Sequence, residues 1–115
     1  MKRCLLVVAI VVITACKPKE TEPAADPNHG KQLIGQYGCT TCHVIPGIDG
    51  TGMIGPSLEH VAVRPTLAQK LPNTPKTMSN YIQNPQAVNA QNEMPNLGVK
   101  PDEARDIAAY LYTLK

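Results

Sequence analysis

Behind Lys2 and Arg3, an unbroken apolar run extends from Cys4 to Ile13. From Lys17 to Asp26 the chain is polar and proline-bearing, with no apolar periodicity. Helical spacing begins after that. Asp26-Pro27 offers an N-cap followed by a proline at the first helical position, and the pattern predicts a helix through Leu33 and Ile34 to about Tyr37, closed by Gly38. From Val44 to Asn73 glycines and prolines recur and no period is visible, so this stretch reads as a long connection that must have a function to exist. Thr74-Pro75 predicts the start of a second helix, with Met78, Tyr81 and Ile82 on one face and Asn84-Pro85 as its end. A third is predicted from Pro101: Asp102 and Glu103 suit its first turn, and Ala104, Ile107, Ala108, Leu111 and Leu114 form one apolar stripe. No strand-like alternation and no internal repeat is present, which predicts an all-α domain.

The first apolar run is too short for a bilayer core, which takes roughly 20 residues, and suits the central region of a secretory signal. It ends at Ile13-Thr14-Ala15-Cys16, which resembles the lipobox of bacterial lipoproteins. That resemblance implies residues 1–15 as a lipoprotein signal peptide and Cys16 as the lipidated first residue of the mature chain. The plainer alternative is an ordinary signal peptide with a chance cysteine. Residues 16–27 then form a flexible tether, reaching about 40 Å from the membrane when extended, and residues 28–115 form the domain.

Composition makes that domain hard to stabilise with protein alone. Removing residues 1–15 leaves 100 residues that contain no Phe or Trp and only four Tyr, so the large apolar body of the core must come from elsewhere. A buried cofactor would supply it. Setting Lys2 and Arg3 aside from the eleven basic residues leaves nine, against nine acidic ones. A near-neutral domain speaks against nucleic acid as a partner and against a strongly basic docking face.

Candidate chemistry lies at Cys39-Thr40-Thr41-Cys42-His43. Two cysteines on one turn can each add across a vinyl group of a haem, and an imidazole directly after the second can bind the iron from the proximal side through Nε2. A thioredoxin-like redox pair or half a zinc site shares the C-x-x-C spacing. The first normally opens a helix after a strand, and no such pattern surrounds Cys39. The second needs further ligands, and the remaining cysteines, Cys4 and Cys16, lie in the leader. Covalent attachment of haem c also requires export, which agrees with the leader.

Over about residues 28–115 the chain resembles the class I c-type cytochromes. The resemblance rests on an ordered series: Gly30-Lys31-Gln32-Leu33-Ile34-Gly35-Gln36-Tyr37-Gly38-Cys39, Gly55-Pro56-Ser57-Leu58, Met94-Pro95 and Asp106-Ile-Ala-Ala-Tyr110-Leu. It implies three main helices wrapped around one covalently bound haem, with Gly30 meeting Tyr110 where the terminal helices cross. It implies Met94 as the sixth iron ligand, a soft thioether that favours ferrous iron. Met53 precedes Gly55-Pro56 and is badly placed for that task, Met78 reads as helix core, and His29 and His60 are the rival ligands. Pro56 would accept from Nδ1 of His43, and Arg64 stands where the family often places a propionate-binding arginine. Related bacterial sequences carry a tryptophan on the middle helix where this chain has Tyr81, whose hydroxyl would take over a propionate hydrogen bond.

The function implied is a monohaem carrier of single electrons, not an enzyme and without a small-molecule substrate. Its exposed route would be the thioether edge at Cys39 and Cys42, with Ile45 and Met94-Pro95 beside it. Its partners would be membrane-associated redox proteins such as a quinol-oxidising complex and a terminal oxidase or other reductase. The lipid anchor would hold the haem domain in the periplasm or on the outer face of the cell membrane. The alternatives are a haem subunit of a larger oxidoreductase complex, or a gas-binding or peroxidase-like protein in which Met94 is labile.

Overall fold

A computed structural model of the protein describes residues 22–115; the signal segment, Cys16 and most of the tether lie outside the described residues. Helix α1 spans Pro27–Gln36. Asp26 caps it, accepting from the N–H of Asn28 at 2.8 Å and of His29 at 3.3 Å, and Pro27 takes the first position, where no N–H is needed. Tyr37 ends it and Gly38, at φ 70°, turns the chain into a 3₁₀ turn over Cys39–Thr41. Helix α2 spans Pro75–Gln83, capped by Thr74, whose Oγ1 accepts from the N–H of Thr77 at 3.1 Å. A 3₁₀ turn, Pro85–Ala87, follows it, and α3 spans Pro101–Leu111.

Helix α1 packs chiefly on α3, and α2 packs on α3 as well. Leu33 and Ile34 from α1, Met78 and Ile82 from α2, and Ala104, Ile107, Ala108 and Leu111 from α3 share one core. Full burial of each larger aliphatic side chain stabilises by about 1.5–3 kcal/mol. Leu114 packs against this core from beyond the end of α3.

The α1–α3 crossing is a backbone contact. A Cβ on Gly30 would lie 1.9 Å from the carbonyl oxygen of Asp106 and 2.9 Å from the nitrogen of Ile107. Gly30 therefore meets the α3 main chain at Asp106 and Ile107, one turn before Tyr110. Tyr110 donates its hydroxyl to the Pro46 carbonyl at 2.7 Å, beside Gly47. Polar contacts pin both ends of the crossing. Tyr37 donates to Glu103 in the first turn of α3, and Asp106 accepts from the N–H of Asp26 at 2.8 Å and pairs with Nδ1 of His29 at 2.7 Å. Glu22, the first described residue, pairs with Arg105, so the chain ahead of α1 lies back along α3.

The His29–Asp106 pair makes this crossing sensitive to pH. The hydrogen bond His29 donates to Asp106 raises the pKa of His29 against some opposing burial, with Asp26 and Glu103 adding to the field. Burial works against the charge on Asp106, but the N–H of Asp26 and the His29 imidazole outweigh it and hold the carboxyl below its ordinary range. The histidine's contribution is complete below its ordinary pKa of about 6.5 and is lost as pH rises through its elevated value. The aspartate's is present above the ordinary carboxylate range and is lost as pH falls through its depressed value. His29→Ala will therefore destabilise the fold more near pH ~5 than near pH ~9. Equal losses in denaturant midpoint at the two values would contradict this.

One element is absent from the sequence-based reading. Strands β1 (Thr66–Leu67) and β2 (Leu71–Pro72) form an antiparallel hairpin inside the long connection. Two residues per strand are too few to show alternation, and the turn uses Ala68 and Gln69 at φ 46° and 65° in place of glycines. Asn73 ties this region down: its amide donates to the carbonyls of Val61 at 2.9 Å and Arg64 at 2.7 Å, and its oxygen accepts from Tyr112. The all-α expectation holds for the three helices that make the core.

Candidate functional site

Gly38 delivers the chain into the 3₁₀ turn that carries the cysteines. The N–H groups of Cys42 and His43 both donate to the carbonyl of Cys39, at 3.2 and 3.0 Å, so both thiols and the imidazole stem from one turn. Cys39 and Cys42 are half-buried and are not joined to each other by a disulfide. Burial pushes the Cys39 thiol up, the opposite of the lowered pKa that activates a redox or nucleophilic cysteine. The turn follows a helix and does not open one after a strand, which also separates it from a thioredoxin-like pair.

Residues 50–58 are laced onto this turn. The N–H of Gly52 donates to Thr40 at 3.1 Å, that of Gly55 to Cys42 at 2.7 Å, and that of Leu58 to Val44 at 2.8 Å. The Thr51 hydroxyl donates to Thr41 at 3.3 Å. This lacing places the Pro56 carbonyl 2.7 Å from Nδ1 of His43. A carbonyl can only accept, so Nδ1 carries the proton and Nε2 keeps its lone pair. Gly55 lies against the same ring: a Cβ there would sit 2.5 Å from Cε1 and 2.7 Å from Nδ1. The imidazole is held by a hydrogen bond and by the missing side chain beside it. Two thiols on one turn, followed by an imidazole with Nε2 freed for a metal, fit the donor set of a c-type haem.

Arg64 has a local task. Its Nη2 donates to the carbonyls of Ser57 at 2.5 Å and Glu59 at 2.8 Å, fastening the loop that carries Pro56. Met94 is half-buried in the connection between the Pro85–Ala87 turn and α3. Its N–H donates to Oδ1 of Asn92 at 3.0 Å, and its carbonyl accepts from Nε2 of Gln86 at 2.7 Å. The Tyr81 hydroxyl accepts from Nδ2 of Asn92 at 2.8 Å, which gives Tyr81 a partner in the methionine loop. Asn92 and Gln86 escaped the sequence reading. The one available signal was Asn92 two residues before Met94, the spacing at which an asparagine side chain bonds to a backbone N–H.

Other candidates fall away from the turn. His29 is engaged with Asp106 at the far end of α1 from Cys39. His60 is exposed, at φ 55° beside the 3₁₀ turn Val61–Val63. Met78 is core, and Met53 is 84% exposed. Ile45, placed by the sequence reading at the exposed edge, is 2% exposed and bridges to Ile48. The alternation that buries Ile45 exposes its neighbour Val44, and together with Met53 and Ile54 it forms the apolar surface beside the cysteine turn.

Comparison with known proteins places this geometry. Residues 28–115 match the family model of cytochrome c. Among solved structures, cytochrome c2 from Rhodobacter sphaeroides superposes with a TM-score of 0.60 at 24% identity, over 79% of this chain and 97% of that one. At that identity the likeness speaks for the fold. No curated protein matches the sequence.

Proposed function

The chain belongs to the cytochrome c family, and from that premise we propose that it carries single electrons between membrane-associated respiratory donors and acceptors. The family makes it an electron-transfer haem protein with one haem c attached covalently through Cys39 and Cys42. When bound, the haem supplies a one-electron iron couple. His43 would hold the iron through Nε2, and Met94 would hold it through its sulfur. An iron held by both of these side chains would offer a substrate no open position, which favours carrying over catalysis. The observation that carries this reading is the 2.7 Å contact from His43 to the Pro56 carbonyl, which readies Nε2 on the same turn as the two thiols.

Arg64 steadies the proximal loop from Ser57 and Glu59 and serves a propionate with the rest of its guanidinium. The Tyr81 hydroxyl accepts from Asn92 and retains a proton to donate to a propionate oxygen. The partners are a quinol-oxidising complex on one side and a terminal oxidase or other reductase on the other. Lipidation at Cys16 and the polar stretch after it keep the domain outside the cytoplasm, near those membrane partners, which raises encounter without tight docking.

Docking at the thioether edge is apolar in this account. Between Cys39 and Leu58 the one acidic or basic residue is Asp49, and Met94 to Val99 carry none. Val44, Met53 and Ile54 are exposed there. Steered, charge-driven association falls tenfold or more as salt screens it. For this protein, electron exchange with a quinol-oxidising complex will change by less than about threefold between low salt and ~0.5 M. A fall of about tenfold would contradict the apolar docking face, and no exchange with any respiratory partner would contradict the carrier.

A further inference from the structure

Residues 88–100 contain neither helix nor strand, and a connection of that kind has no ladder of its own to hold a residue in place. Met94 is nevertheless held by both of its backbone polar groups. Asn92 Oδ1 accepts from its N–H at 3.0 Å, and Gln86 Nε2 donates to its carbonyl at 2.7 Å. Both residues are anchored at the end of α2, Asn92 by its side chain and Gln86 by its place in the chain. Asn92 Nδ2 donates to the Tyr81 hydroxyl at 2.8 Å and to the Pro85 carbonyl at 3.3 Å. Gln86 stands in the 3₁₀ turn that follows α2 and also donates to the Asn92 carbonyl at 3.3 Å.

We propose that Tyr81, Asn92 and Gln86 form a clamp of positioning residues that fixes the Met94 backbone and so sets how firmly its sulfur holds the sixth position. The proposal rests on the reading of Met94 as that ligand. A thioether is a weak neutral donor whose hold on ferric iron depends on the protein keeping it in place, so strain or slack in its loop is felt as ligand lability. The same loop contains its own comparison. Asn89 bonds the N–H of Gln91 and Asn96 bonds that of Gly98, each at 3.0 Å, in the same local geometry. Both are exposed and bond only within the loop, whereas Asn92 is half-buried and reaches α2. Local turn chemistry alone would make the three asparagines equivalent; the clamp makes Asn92 different.

The test uses the haem-loaded protein and two readouts: the weak red absorption band of ferric methionine–iron ligation, and the dissociation constant of added imidazole, which competes for the sixth position. Asn92→Ala will bind imidazole about tenfold more tightly than wild type, the scale of one net hydrogen bond, with a weakened red band. Asn92→Asp, which keeps Oδ1, will recover part of the loss. Tyr81→Phe, which leaves the Met94–Asn92 bond in place, will shift the constant in the same direction by about threefold and serves as the deciding variant if Asn92→Ala fails to mature. Asn96→Ala will match wild type. A wild-type red band with Asn92→Ala and Tyr81→Phe both indistinguishable from Asn96→Ala overturns the clamp alone. A wild type without the band, binding imidazole as Met94→Ala does, overturns the ligand reading and the clamp with it.

Discussion

Gly30→Ala will cost the fold about 3 kcal/mol or more, measured as a fall in denaturant midpoint of the haem-loaded protein. The added Cβ would stand 1.9 Å from the Asp106 carbonyl oxygen and 2.4 Å from its carbon, and neither is a side chain that can turn away. Either α1 or α3 must move, which opens the core around Ile34, Ala104 and Ile107 and strains the bonds that Asp106 makes with Asp26 and His29. Overpacking of this kind costs about 1–3 kcal/mol when side chains can adjust, and more when backbone must. Alanine's better helix propensity returns only about 1 kcal/mol. Against a total stability of about 5–15 kcal/mol the balance is severe. Gly35→Ala is the internal control: it lies in the same helix, exposed, with nothing within 4 Å of the added carbon. That variant will be unchanged or slightly stabilised. Equal stability of the two would contradict the close crossing.

Gly55→Ala will leave the fold largely intact and disable the proximal ligand. The new methyl would sit 2.5 Å from Cε1, 2.7 Å from Nδ1 and 3.0 Å from Nε2 of His43. Gly55 cannot retreat easily, because its N–H donates to Cys42 at 2.7 Å and its neighbour Pro56 is bonded to the same imidazole. The ring must swing instead, losing the Pro56 carbonyl and with it the fixed orientation of Nε2. Loss of such an outer partner typically costs about 10–100-fold in metal affinity, and a displaced ring adds to that. The ferric spectrum will shift towards a high-spin form while far-ultraviolet circular dichroism stays near wild type. An unchanged spectrum would show that Gly55 does not support His43.

What could be read from the chain was local chemistry with a fixed spacing. The caps at Asp26 and Thr74, the prolines at 27, 75 and 101 and the stop at Asn84-Pro85 delimit the helices from sequence because each acts on its own neighbours. The cysteine pair and His43 are legible for the same reason. Features set by the return of distant chain were not. Gly30 is legible as a contact point between the terminal helices, but nothing in the spacing says that the two backbones touch at Asp106. Ile45 looks like any apolar loop residue until the bridge to Ile48 turns it inward. The hairpin at 66–72 was invisible because Ala68 and Gln69 adopt a conformation for which they carry no signature. Asn92 and Gln86 are ordinary polar residues in sequence, and their part emerges only when the loop brings Met94 back to the end of α2.

Whether His43 and Met94 together hold the iron, as a carrier of electrons requires, is decided by the ferric absorption spectrum of the haem-loaded protein beside its Met94→Ala variant. The wild type will show a low-spin spectrum with the weak red band of methionine ligation, and the variant will lose that band. A high-spin or bis-histidine spectrum in the wild type, or a band that survives the substitution, would contradict that ligation.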